Sequence, residues 1–123
     1  MMIVYREGYV MIGVGLVGFG YWGPNLARNF SIQPDCRLLA ICETDESNAA
    51  RAARLYPYAR VTPYYREILD NQDIQAVLIA TPVSTHFDLV KDALLSGKDV
   101  LVEKPLAESV AKAKELVLLA KKE

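Results

Sequence analysis

Short apolar runs bounded by glycine alternate along this chain with segments whose apolar residues recur at helical spacing. Residues 12–17 (IGVGLV) form an apolar run ending at glycine, as a buried parallel strand does. Residues 21–30 then predict a helix, with Leu26, Ala27 and Phe30 on one face. Pro24 falls in its first turn, where a missing N–H costs little because those donors have no intrahelical partner. Residues 37–42 (RLLAIC) predict a second strand. Residues 46–55 predict a helix capped by Asp45 and stopped before Pro57. A brief strand over 60–62 and a short helix over 64–69 follow. Residues 76–80 (AVLIA) predict a strong strand. Residues 85–96 predict a helix with Ser84 as cap, Phe87, Val90 and Leu94 on one side, and Gly97 just past its end. Residues 100–102 predict the last strand, and residues 109–122 a last helix facing inward through Val110, Ala113, Val117 and Ala120.

Strictly alternating strands and helices with short connections point to a parallel sheet covered by helices on both faces. The expected fold is an α/β domain of the doubly wound Rossmann type, about five strands in the order 3-2-1-4-5. At 123 residues the chain fits one domain, expected over residues 11–123, with no length left for a second. Residues 1–10 (MMIVYREGYV) read as an N-terminal extension, since Met11 directly precedes the first clear strand. That extension either covers an exposed apolar surface or adds an edge strand; the pattern leaves both open.

Composition narrows the function classes. Lys and Arg total 14 against 15 for Asp and Glu, a net charge of −1, so no basic excess exists to hold a nucleic-acid backbone or an anionic membrane. No apolar run approaches the ~18 residues needed to span a bilayer. Arg6 and Glu7 interrupt the start where a secretory leader needs unbroken apolar residues. If Cys36 and Cys42 lie on one strand they are about 20 Å apart, too far for a disulfide. Reduced thiols and a cytoplasmic location are the expectation. His86 is the only histidine, and no Cys/His spacing suggests a metal site.

The chemistry concentrates at the first βα turn. Gly18-Phe19-Gly20-Tyr21-Trp22-Gly23 fits G-x-G-x-x-G between a predicted strand and a predicted helix. Gly18 permits the tight turn, Gly20 lets backbone approach a diphosphate, and Gly23 lets helix and strand pack closely. The helix N-terminus offers N–H groups and partial positive charge to the phosphates. Glu43 follows Gly23 by 20 residues, at the end of the second strand. An acid there accepts hydrogen bonds from the adenosine ribose and repels a 2′-phosphate, so NAD is expected over NADP. Read alone, the turn is a flexible connection and Glu43 a solvated acid; together they point to a dinucleotide.

In such a sheet the ligand lies outside the carboxyl ends of the strands, where strand order reverses. The loops Thr81-Pro82-Val83-Ser84-Thr85-His86 and Glu103-Lys104-Pro105 should therefore face the nicotinamide half. Glu103 is placed to hold ribose hydroxyls, and Lys104 to orient a substrate hydroxyl or assist proton transfer. An exposed Glu–Lys pair before a strand-ending proline is an equal reading. A lone histidine near a helix start, as His86 is, is more often structural than catalytic.

Together these motifs resemble the glucose–fructose oxidoreductase / inositol dehydrogenase (Gfo/Idh/MocA) family over nearly the whole chain. The resemblance rests on GLVGFGYWGPNL at residues 15–26, the strand-end Glu43, ATPVSTH at residues 80–86 and VLVEKPLA at residues 100–107. It implies NAD(P)-dependent oxidation or reduction of a hydroxyl carbon on a sugar, polyol or nucleotide sugar. It implies that Lys104 lies near the nicotinamide ribose and the substrate, and that Pro105 follows a cis peptide shaping this loop. It makes Thr81, Pro82, Thr85, His86 and Glu103 cofactor-side residues. The resemblance implies a second α/β domain in family members that holds the substrate, the usual oligomer interface and further catalytic residues; none of it is expected within these 123 residues. The chain is thus expected to bind NAD with little or no turnover, and to self-associate through exposed apolar surface. The alternative reading is a stand-alone module that senses NAD(H) without catalysis.

Overall fold

The central strand forms where small and β-branched apolar residues crowd together. In a computed structural model, which describes the backbone of residues 2–5 and 8–10 and the whole of residues 11–122, this strand is β2 (Gly8–Val17). It pairs in parallel with β3 (Cys36–Cys42) on one side and β5 (Ala76–Ile79) on the other. Beyond these lie β4 (Arg60–Thr62) and β6 (Asp99–Val102), giving the order β4-β3-β2-β5-β6. Counted from β2 this is the expected 3-2-1-4-5. The extension forms β1 (Met2–Tyr5), antiparallel to the start of β2 with Met2 opposite Met11. That pairing draws β2 back to Gly8, four residues before its predicted start.

The helices are α1 (Gly23–Ser31), α2 (Glu46–Leu55), α3 (Tyr65–Leu69), α4 (His86–Leu95) and α5 (Val110–Lys122). Strand alternation distributes the core between the two faces of the sheet. Leu16, Leu38 and Leu78 pack with Ala27 of α1 and Ala52 of α2. Val17, Val77 and Ile79 pack with Ile68 of α3, Val90 and Ala93 of α4 and Leu116 of α5. Burial of each such leucine, isoleucine or valine contributes about 1.5–3 kcal/mol. Lys98 is buried at the start of β6, and its Nζ donates to the carbonyl oxygens of Asn71 and Ile74, each at 2.7 Å. Burial pulls its ammonium below the usual lysine range.

Three details differ from the pattern reading. Helix α1 starts at Gly23 rather than residue 21, because Pro24 belongs in a first turn and leaves Tyr21 and Trp22 in the loop before it. Ser84 does not cap α4: it sits inside a 3-10 turn (Val83–Thr85), and the Thr85 hydroxyl donates to the Pro82 carbonyl at 2.6 Å. In α5 the inward stripe is Ala113, Leu116 and Leu119. Val110 and Val117, expected inside, are exposed, because Leu116 fills the space against α4 and the stripe turns with it. By contrast Asp45 caps α2 as expected, its Oδ2 accepting the Asn48 N–H at 2.8 Å. Gly97 takes the left-handed conformation, φ +77°, just past α4. Cys36 and Cys42 are both buried, and among the described residues no disulfide joins them.

Candidate functional site

Parallel strands all end on one side of the sheet, so the residues that follow them gather there. Chain connections run from β2 to β3 in one direction and return to β5 on the other side, which opens a crevice beside β2. A cleft of about 650 Å³ lies at this point. Its walls include Val17 and Gly18 at the end of β2, Cys42 and Glu43 at the end of β3, Ala80 and Thr81 after β5, and Glu103 after β6.

The glycine turn forms one wall, and each glycine has a distinct steric reason to be there. Gly18 has φ +97°, and a Cβ on it would lie 2.7 Å from the Ala80 carbonyl oxygen. A Cβ on Gly23 would lie 2.0 Å from the Gly18 carbonyl oxygen, so helix and strand pack through a hydrogen atom there. A Cβ on Gly20 would meet nothing within 4 Å. Gly20 lines the cleft, so its backbone is bare toward whatever enters. This fits a bound diphosphate: the turn is a cradle that a side chain would fill.

Glu43 is built into this wall. Its Oε1 accepts the Phe19 N–H at 2.7 Å and its Oε2 accepts the Asp45 N–H at 2.9 Å. Each carboxylate oxygen retains a further lone pair for a hydroxyl donor. Phe19 points its ring into the core, fully buried, and contributes only backbone to the site. Tyr21 and Trp22 stack with ring centroids 6.4 Å apart at the mouth of the cleft.

The far wall comes from the two loops expected to face a nicotinamide. Thr81, Pro82, Thr85 and Glu103 line the cleft. The Thr81 and Thr85 hydroxyls lie 2.6 Å apart. His86 does not line it. Its ring is buried beneath, with Nδ1 2.7 Å from the Pro105 carbonyl oxygen and Nε2 2.9 Å from the Thr81 carbonyl oxygen. The histidine therefore ties the two loops together rather than meeting a ligand directly. Lys104 is exposed, and it and Pro105 stand outside the cleft lining, joined by a cis peptide bond. Gly23 lies behind the turn.

Pattern reasoning missed several lining residues. Asn48 comes from the first turn of α2, Tyr65 from α3 and Leu89 from α4. The Tyr65 hydroxyl donates to the Leu89 carbonyl at 2.7 Å, and burial pushes its pKa well up. The buried Cys42 thiol is pushed up to about 11 by burial and by the nearby Glu43 and Glu67 carboxylates. Among the described residues no cluster of His, Cys, Asp and Glu is disposed to hold a metal, and no helix is long and apolar enough to cross a membrane.

A family model described as an oxidoreductase family with an NAD-binding Rossmann fold, GFO_IDH_MocA, matches residues 12–123. Glycosyl hydrolase family 109 protein 2 of Shewanella sp. (strain ANA-3) is 36% identical over 115 residues, covering 86% of this chain and 25% of that protein. The chain thus spans about a quarter of the length of that curated relative. The crystal structure of GenD2 from gentamicin A biosynthesis, in complex with NAD, superposes with a TM-score of 0.88 at 32% identity, covering 92% of this chain and 32% of that one. Biliverdin reductase from Synechocystis sp. PCC 6803, in complex with biliverdin and NADP+, superposes with a TM-score of 0.85, also at 32% identity, covering 90% of this chain and 35% of that one.

Proposed function

We propose a function from one premise: the chain belongs to the Gfo/Idh/MocA oxidoreductase family, as its NAD-binding Rossmann domain. We infer that residues 11–123 bind NAD(H) in preference to NADP(H), as the cofactor half of an enzyme that oxidises or reduces a hydroxyl carbon of a sugar, polyol or nucleotide sugar. The observation that carries this reading is the bare backbone of Gly20 beside the Glu43 carboxylate, at the carboxyl ends of the strands. Two solved structures at the same 32% identity to this chain hold NAD in one case and NADP+ in the other, so overall likeness does not select the cofactor. Glu43 is the feature that favours NAD: a carboxylate at the ribose repels a 2′-phosphate. The sugar class draws on the glycosyl substrate in the name of the Shewanella relative and on the family resemblance.

In this reading the turn at Gly18, Gly20, Tyr21 and Trp22 and the start of α1 hold the diphosphate through backbone N–H groups. Glu43 accepts the adenosine ribose hydroxyls. Thr81, Pro82, Thr85 and Glu103 line the nicotinamide half, and His86 fixes the loops that carry them. When bound, the nicotinamide supplies the hydride acceptor or donor. Lys104 orients the substrate hydroxyl and moves its proton. Substrate itself is held by residues beyond this chain.

The test is a calorimetric titration of the chain with NADH and NADPH, with Trp22 fluorescence read in parallel. Tighter binding of NADH supports the reading. Tighter binding of NADPH overturns the Glu43 argument, and no binding to the folded chain overturns the cofactor reading. Light scattering on the same sample checks self-association through the exposed Leu101, Val110 and Leu118.

A further inference from the structure

We propose that Arg51 is a positioning residue for the cofactor diphosphate: it locks the glycine turn with its amide groups toward the cleft. This rests on the nucleotide reading above and extends it to a residue outside the motif. Arg51 belongs to α2, half-buried, and does not line the cleft. Its Nη2 donates to the Phe19 carbonyl at 3.0 Å and to the Gly20 carbonyl at 3.1 Å. The guanidinium carbon lies 5.3 Å from the Phe19 ring centroid, within cation–π range. From the other side, the Phe19 N–H is held by Glu43 at 2.7 Å. Tyr56 meets the buried Phe19 ring edge-on at 6.1 Å.

In a trans peptide the C=O and the following N–H point in opposite directions. Two consecutive carbonyls drawn to one guanidinium therefore send the Gly20 and Tyr21 N–H groups the opposite way. Gly20 and Tyr21 line the cleft and Arg51 does not, so those N–H groups are presented to an entering anion. Successive amides aimed in this manner form an anion-binding concavity. Without Arg51 both carbonyls lose their donor. Glycine at position 20 then lets the peptide turn over at little steric cost, and a flipped carbonyl repels a phosphate.

The test uses Arg51→Gln, Arg51→Lys and the unaltered chain. In the absence of ligand, amide hydrogen exchange is followed at the Phe19 N–H, the turn amide that Glu43 holds at 2.7 Å. The expected result is exchange faster by about tenfold or more in Arg51→Gln, with Arg51→Lys between, since lysine still offers N–H donors. Titrations with ADP-ribose and with adenosine then separate positioning from general stability. Arg51→Gln should bind ADP-ribose about tenfold more weakly while adenosine binding, which needs no diphosphate site, stays within about twofold. Equal loss for both ligands, or unchanged exchange at Phe19, overturns the proposal. Should Arg51→Gln not fold, Arg51→Lys carries the same comparison. Failure of the unaltered chain to bind ADP-ribose sinks the nucleotide reading instead, and the exchange measurement still decides whether Arg51 locks the turn.

Discussion

The Glu43 carboxylate accepts the Phe19 backbone N–H at 2.7 Å, so the acid at the end of β3 is fastened to the glycine turn that follows β2. This fastening sets the position of the acid before any ligand arrives. Its second oxygen is held by the Asp45 N–H, which removes rotamer freedom that binding would otherwise have to quench. Replacing Glu43 by Gln removes the charge and puts an amide donor on one side. We expect NADH affinity to fall about tenfold, in line with the 1.5–3 kcal/mol typical of hydrogen bonds to charged groups. NADPH affinity should fall less or rise, because the repulsion of the 2′-phosphate is gone. Parallel calorimetric titrations check this, and an unchanged NADH/NADPH ratio would remove Glu43 from the selectivity argument.

The three glycines of the turn should respond differently to one methyl group. Gly20→Ala adds a Cβ into open space at a residue without positive φ, so the fold should be unchanged or gain up to about 1 kcal/mol from reduced unfolded-chain freedom. NADH binding should nonetheless drop by about tenfold or more, since the methyl occupies the approach to the diphosphate. Gly23→Ala puts its Cβ 2.0 Å from the Gly18 carbonyl oxygen, against rigid backbone. Its cost should be about 1–3 kcal/mol or more as α1 is pushed from the sheet. Urea unfolding and ligand titration on both variants give the two readings. A Gly20→Ala protein that binds normally would contradict the diphosphate site.

His86 joins loops that are 19 residues apart in sequence, through the Pro105 and Thr81 carbonyl oxygens. His86→Ala removes the buried ring that spans the two carbonyl oxygens, together with the one N–H it donates in a given tautomer, and leaves a cavity between the loops. We expect a loss of about 1–3 kcal/mol in unfolding free energy. The exchange of backbone amides in residues 81–85 and 103–106 should quicken more than in β2 or β3, because the damage is local. Hydrogen exchange mapped along the chain checks this. Uniform quickening would mean that His86 acts only as core filling.

How much of this was readable beforehand follows from where each residue's reason lies. Sheet order, the glycine turn and Glu43 were legible because strand alternation, turn chemistry and spacing are local signals. The loops at Thr81 and Glu103 were legible because strand ends must converge in a parallel sheet. Arg51 was not: on its own helix it is one of two arginines, and only packing brings it against the Phe19 and Gly20 carbonyls. Tyr65 and Leu89 were hidden for the same reason, since α3 and α4 present them to the cleft only after docking on the sheet. His86 stood in a motif that faces the ligand, yet its ring turns beneath the loop, which a one-dimensional pattern does not distinguish. The α5 stripe was misplaced because Ala113–Val117 and Ala113–Leu116 both fit helical spacing, and packing against α4 chose the second.

Cys42 gives a reactivity prediction with a definite sign. Its thiol lines the cleft, yet burial, then Glu43, then Glu67 push it up from 9.0 to about 11. Thiolate is the reactive form, so alkylation of the folded chain near neutral pH should be slow and should accelerate only as pH approaches about 11. The linkage runs the same way. Once pH exceeds 9.0 the unfolded chain releases this proton while the folded chain keeps it, so stability falls as pH rises from 9.0 through about 11. Glu43→Gln removes one of the two carboxylate contributions and leaves burial, the largest, in place. Cys42 alkylation in that variant should therefore begin at a lower pH while remaining slower than a free thiol. Mass-spectrometric labelling of Cys42 across pH, with NADH present and absent, checks both points. Occupation of the cleft should protect the thiol further; rapid labelling at neutral pH with NADH bound would show that Cys42 is reached from elsewhere and does not face the ligand.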